Sequence, residues 1–239
     1  MSDKHLSSQF DSELANLSSR LLAMGGLVES QLRQALAALT TQSGEIAEAV
    51  LAGELRVNAM EVEIDGELSR VIARRQPAAV DLRLLLSIAR ATTNLERAGD
   101  EAAKIARMVR AIVDAGAHPL PLADLRLACD LAGGLIAKSL DAFARLDTAA
   151  AVAILKEDDA VDREFDGFVR KLVTYMMEDP RMISESLDLL FIAKAIERIG
   201  DHAKNIAECV IYVVKGADVR HRSLAEAEAE ISGAEAIAP

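Results

Sequence analysis

From Leu6 to Val214, apolar residues recur every three or four positions with few interruptions, the mark of helices that each turn one face to a core. Leu14, Leu17, Leu21, Met24, Val28, Leu32, Leu36 and Leu39 form the first stripe, which stops at the polar turn TTQSGE. A second helix is predicted up to Gln76, where Pro77 interrupts it, and a third from about Ala79 to Ala115. The segment GAHPLP (116–121) holds two prolines and a glycine and is the best domain boundary. A fourth helix runs through Leu146, and Asp147 and Thr148 can cap a fifth, which ends at EDP because Pro180 forbids continuation. The sixth covers Ile183 to Lys215. Helices this far above the average of about 11–12 residues favour extended antiparallel bundles. Composition agrees: 51% of residues are apolar but only 3% aromatic, and tryptophan is absent. The fold class expected is all-α.

The chain repeats itself. LERAGDEAAKIA (95–106) returns as IERIGDHAKNIA (196–207), an offset of 101 residues that pairs Glu96 with Glu197, Gly99 with Gly200 and Asp100 with Asp201. EVEIDG (61–66) and DREFDG (162–167) keep the same offset. Two helix pairs sharing one offset imply a duplication. The expected organisation is therefore a three-helix bundle over residues 1–116, a second over 121–219, and an acidic tail over 220–239 whose composition predicts fraying or disorder.

Each repeated phrase makes two unfavourable choices. Carboxylates four apart on one helix face repel by about 0.2–0.5 kcal/mol, and a mid-helix glycine costs about 1 kcal/mol relative to alanine. The candidate site residues are Glu61, Asp65, Glu96 and Asp100 in the first half, and Asp162, Asp166, Glu197 and Asp201 in the second. If each half's pairs face one another, their oxygens suit a metal that accepts carboxylates: iron, manganese, magnesium or zinc. Gly66, Gly99, Gly167 and Gly200, each beside one of the aspartates, are expected to let a neighbouring backbone or ligand approach. The plainer alternative is a solvated face, with Asp100 paired to Lys104 and Asp166 to Arg170. His202 directly follows Asp201 and is a further metal candidate, whereas His5, His118 and His221 are expected at the surface. Arg74, Arg75 and Arg83 concentrate positive charge near Pro77, for an anion, an acidic partner or ordinary salt bridges.

A net charge of −11 argues against nucleic-acid binding. Cys129 and Cys209 match no ligand spacing and are expected as buried thiols in a reducing compartment. The N-terminal MSDKHLSSQF lacks the pattern of a signal peptide, and no apolar run approaches the ~20 residues that span a bilayer. A soluble, intracellular protein is expected, at most peripheral to a membrane. No phosphate loop, nucleophile elbow or Cys/His cluster is present in the sequence.

The stretches ARRQPAAVDLR (73–83), LERAGDEAAKIA, IERIGDHAKNIAE (196–208) and GADVRH (216–221) resemble the PhoU family, bacterial regulators associated with phosphate-specific ABC transport. The resemblance implies a pair of three-helix bundles in a cytoplasmic, often dimeric protein. It places the family's metal-binding E/D-x-x-x-D motifs on the eight carboxylates named above. It also implies a non-enzymatic negative regulator of phosphate uptake and of the phosphate-starvation response. Such a protein would be an adaptor between the transporter ATPase and a sensor histidine kinase, touching the membrane only through those partners. Asp162 stands where the family has glutamate, and Glu101 where the second half has His202, so the two sites are not equivalent. Two other readings stay open: a metal-dependent enzyme with a carboxylate-bridged cluster, which needs a substrate cleft, and a structural dimerisation protein whose acids merely solvate it.

Overall fold

The structure, a computed structural model, describes residues 8–116 and 122–220, and beyond them residues 222, 224–226 and 229. His5, His118, His221, most of GAHPLP and most of the acidic tail lie outside the described residues. Six long helices account for nearly all of it: α1 (Ser8–Thr41), α2 (Gly44–Arg75), α3 (Ala79–Ala115), α4 (Leu122–Arg145), α5 (Thr148–Glu178) and α6 (Ile183–Lys215). A short 3₁₀ segment, Pro180–Met182, joins α5 to α6. Among the described residues there is no strand, and no helix is long and apolar enough to cross a membrane.

Local chemistry sets the helix ends. Ser43 accepts a hydrogen bond from the Ile46 amide to open α2, and Asp147 accepts one from the Ala150 amide to open α5. Gln76 adopts a left-handed conformation (φ 48°) and its amide donates to the Ile72 carbonyl, so α2 stops one residue before Gln76. Gly216 ends α6 in the same way at φ 72°, a conformation that glycine adopts without penalty.

α1, α2 and α3 pack as one three-helix bundle and α4, α5 and α6 as the other. The first stripe forms its core as expected: Leu17, Leu21 and Met24 are fully buried. Each such side chain contributes about 1.5–3 kcal/mol by leaving water. The bundles are not separate bodies. α3 and α6 share the most extensive helix contact in the molecule, and the buried residues of both halves form a single apolar cluster. Contacts along that spine run antiparallel: Arg83 Nε donates to the Val213 carbonyl (3.1 Å), Ser87 to the Cys209 carbonyl (3.4 Å), and Arg198 pairs with Glu101 (2.9 Å). α1 and α4 add a second seam, so close that a Cβ on Gly25 would lie 2.5 Å from Leu140 Cδ1. Of the tail, Leu224 is partly buried against the core.

Candidate functional site

Glu61 and Asp65 lie on α2, Glu96 and Asp100 on α3, Asp162 and Asp166 on α5, and Glu197 and Asp201 on α6. In the first half, Glu61, Glu96 and Asp100 are half-buried and Asp65 is exposed. Burial raises the Glu61 carboxyl above its usual range; neighbouring Asp65 and Asp100 raise it further, and a hydrogen bond with Thr93 opposes them. Glu96 is raised by burial, then by Asp100 and Glu61. Both helices therefore contribute to one field of negative charge that Arg97 offsets only in part.

The second half is built differently. Its central carboxylate is Asp158, only 1% exposed, with Lys204 Nζ 3.0 Å from its Oδ2. Asp201, an exposed residue with a partly buried carboxyl, is pushed up to about 6 by that burial, then by Glu197, Asp158 and Asp162. Asp162 is raised by burial and then by Asp158, against Lys204. Glu197 Oε2 lies 2.6 Å from the Lys194 ammonium, but out of line for a hydrogen bond. Asp166 is exposed one turn beyond Asp162, and the strongest influences here run through Asp158 instead. Sequence reasoning missed Asp158 because the repeat aligns it with a core position, Val57, and its lysine with Ala103. An acid and a base that both replace buried apolar residues of the other half were the available signal.

The glycines divide into two kinds. A Cβ on Gly200 would meet Asp158 Oδ1 at 3.1 Å and Val161 at 3.4 Å; one on Gly99 would meet Gln31 Oε1 at 3.2 Å and Val57 at 3.4 Å. These two glycines do admit close neighbours. Gly66 and Gly167 do not: a Cβ on either meets nothing within 4 Å, because both face away from the bundle. Gln31 reaches from α1 towards Gly53 and Gly99, where both polar atoms of its buried amide lack a partner.

His202 belongs to the spine rather than to the acidic face. It is 6% exposed, its Nδ1 lies 3.1 Å from Asn94 Oδ1 on α3, and its Nε2 is buried without a partner. Burial lowers its pKa to about 4, helped by Arg198 and Arg97. The expected arginine cluster is engaged within the chain. Arg75 makes two 2.9 Å hydrogen bonds to Glu13, Arg74 reaches the same carboxylate at 3.4 Å, and the Arg75 contact holds Glu13 below its usual range. Arg83 binds the end of α6, where Arg90 lies 5.0 Å from the Tyr212 ring centroid and 3.9 Å from Asp218. Arg83 of ARRQPAAVDLR thus packs beside Gly216 of GADVRH, 3.5 Å from where a Cβ on that glycine would lie. Cys129 and Cys209 are buried, and burial pushes both thiols up to about 12, so they stay protonated near neutrality.

The acidic faces offer an all-oxygen donor set suited to hard cations. As the side chains stand, no three His, Cys, Asp or Glu among the described residues gather around one point. A groove of about 230 Å³ between α1 and α4, lined by Glu29, Arg33 and Asp130 among others, lies away from both faces.

The model of the PhoU domain matches this chain twice, over residues 21–109 and 125–210. The chain belongs to the PhoU family. Family relatives match along nearly their whole length. A Burkholderia sp. protein named phosphate-specific transport system accessory protein PhoU homolog is 49% identical over 225 residues, covering 93% of this chain and 96% of that protein. The Escherichia coli K12 phosphate-specific transport system accessory protein PhoU is 45% identical, covering 92% and 90%. The crystal structure of PhoU from Pseudomonas aeruginosa superposes with a TM-score of 0.84 at 46% identity, over 87% of this chain and 100% of that one. The phosphate transport system regulatory protein PhoU from Streptococcus pneumoniae gives 0.82 at 28% identity, over 88% and 99%. The doubled domain and these superpositions confirm the all-α, two-bundle fold.

Proposed function

We propose that this chain is a non-enzymatic negative regulator of phosphate uptake and of the phosphate-starvation response. It acts in the cytoplasm, as a homodimer, as an adaptor between the ATPase of a phosphate ABC transporter and a sensor histidine kinase. The observation that carries the reading is a match along almost the full length of proteins named as phosphate-transport accessory proteins. The geometry is consistent with an adaptor: acidic surfaces on long helices.

The acidic faces are the metal-binding part of the proposal. Glu61, Asp65, Glu96 and Asp100 would hold a cation in the first half, and Asp162, Asp166, Glu197 and Asp201 in the second, where Asp158 adds charge from below. A divalent or trivalent ion such as iron, zinc, manganese or magnesium would neutralise carboxyls that now raise one another's proton affinity.

A phosphate-starvation reporter in a strain lacking this gene tests the regulatory reading. Constitutive expression in phosphate-rich medium, reversed by the wild-type chain, is expected; a reporter that stays repressed without the protein overturns it. Co-purification with the ATPase or the kinase from phosphate-replete membranes tests the adaptor clause. For the metal clause, adding manganese, zinc or ferrous ion to chelator-treated protein should raise Tm, and Asp100→Asn with Asp201→Asn should abolish the rise.

A further inference from the structure

α2 is apolar on two opposite faces. Val50, Val57, Ile64 and Val71 point into the core. On the far side, Ala52, Leu55, Ala59, Val62, Gly66 and Ser69 alternate at spacings of three and four, and all are exposed. Leu55 is 74% and Val62 71% exposed, among the most exposed large apolar residues described. Spacing of this kind is that of a seam between two helices, and here it runs for about 26 Å. The equivalent stripe on α5 is Ala153, Lys156, Ala160, Arg163, Gly167 and Arg170, where charge occupies the positions of Leu55, Val62 and Ser69. The apolar seam belongs to the first half alone.

Gly66 supplies a second observation. A glycine inside a helix is unfavourable, and nothing among the described residues approaches Gly66 closely enough to require one. The requirement is met if a neighbour arrives from outside.

We propose that the outer face of α2 is the surface on which two copies of this chain pair, the α2 helices running antiparallel about a two-fold axis between Met60 and Glu61. The stripe is self-complementary in that register. Leu55 of each copy falls opposite Gly66 of the other, and Val62 opposite Ala59, so every large side chain meets a small one. One flank then brings Arg56 of each copy to Glu63 of the other. Arg56 is exposed and has no ion-pair partner among the described residues, while the Glu63 side chain is 61% exposed although it also pairs with Arg20. The opposite flank brings Leu51 to Ile72 and Asn58 to Asp65. A pairing that satisfies itself on the seam and on both flanks is isologous and closes at two copies. On α5 the same operation would bury Lys156 against Gly167 and Arg163 against Ala160, charge where α2 carries Leu55 and Val62. Gly167 is as open as Gly66, and nothing in the structure explains it.

This inference rests on the homodimer clause of the proposed function and is independent of phosphate regulation. Sedimentation velocity of the purified full chain, from about 1 to 200 µM, tests it. The wild type should dimerise. Gly66→Leu fills the socket for Leu55, should weaken dimerisation at least tenfold, and should leave the melting temperature of the monomer unchanged or higher because the site is open. Leu55→Glu should do the same. Arg56→Glu should weaken the dimer, and Arg56→Glu with Glu63→Arg should recover most of the loss. A wild type that stays monomeric across the range overturns both the surface and the homodimer clause. A dimer that keeps its wild-type affinity in Gly66→Leu and Leu55→Glu overturns the surface alone.

Discussion

The two halves share one three-helix frame and fill it with different chemistry. Beneath the first acidic face the positions next to Gly99 hold Val57 and the amide of Gln31; beneath the second, Gly200 adjoins Asp158, which is bound to Lys204. On the spine, Glu101 pairs with Arg198, whereas its counterpart His202 lies neutral beside Arg97 and Asn94. On the outside, α2 is apolar where α5 is basic. Duplication preserves the spacing that buries a helix face, and burial is insensitive to what stands at positions outside the core. Divergence collected mostly where a side chain meets water or the opposite bundle, and it entered the core only as a matched pair, Asp158 with Lys204 in place of Val57 and Ala103.

Exchanging the contents of the halves tests this comparison, and the buried ion pair should respond most. Lys204→Met leaves the Asp158 carboxylate buried without its partner and should cost about 3 kcal/mol in denaturant unfolding. The double change Asp158→Val with Lys204→Ala installs the residues of the first half and should fall within about 1 kcal/mol of wild type. A single variant no less stable than the double would show that Asp158 does not depend on Lys204.

His202 should give an effect of similar size with a definite pH dependence. Its pKa is about 4 in the folded chain against 6.5 for the free side chain. Folding thus favours the neutral ring: the contribution is present above about pH 6.5 and is lost as pH falls towards 4. The limit is about 3 kcal/mol, since each pKa unit is worth about 1.4 kcal/mol. His202→Gln should flatten the acid limb of the stability profile between those values. An unchanged slope would mean that the ring titrates as it does in water.

The glycines separate by sign. At concentrations where the chain is monomeric, Gly66→Ala and Gly167→Ala should each stabilise by up to about 1 kcal/mol, as alanine does in an open helix. Gly200→Ala must displace Asp158 and Val161 and should destabilise by about 1–2 kcal/mol. Thermal melts of the three variants under one condition decide it; a common sign would refute the distinction.

Asp201 should give the smallest effect. Its carboxyl titrates near 6, above the ordinary 3.8, so the folded chain binds that proton more tightly and the ionised form weakens folding at higher pH. In chelator-treated protein, Asp201→Asn should add about 1 kcal/mol at pH 8, a figure reduced for solvent screening at an exposed residue. The gain should fade as pH drops through 6 towards 4. A gain of the same size at both ends would place its cause outside this carboxyl.

Much of the frame was legible beforehand. α3 and α6 span the predicted residues, and α2 ends one residue earlier than expected because Gln76 turns left-handed. The eight carboxylates were legible as a repeated pattern on α2, α3, α5 and α6, and all of them except Asp166 act electrostatically on a neighbour in the same half. Asp158 was not, because a repeat alignment rewards likeness and this residue differs from its counterpart. His202 was grouped with Asp201 because it is adjacent in sequence, yet adjacent residues on a helix point about 100° apart. The same geometry explains why Gly66 and Gly167 were wrongly expected to admit a neighbour from within the chain.

The sequence by itself determined six helices, their ends and their duplication, since periodicity, caps and prolines act over a few residues. Only the tertiary structure decided which bundle faces meet, that α3 and α6 form a common spine, and that Arg83 reaches from one half to close the last turn of the other. Those outcomes depend on side chains about 100 positions or more apart competing for one space, and no local pattern records which of them prevails.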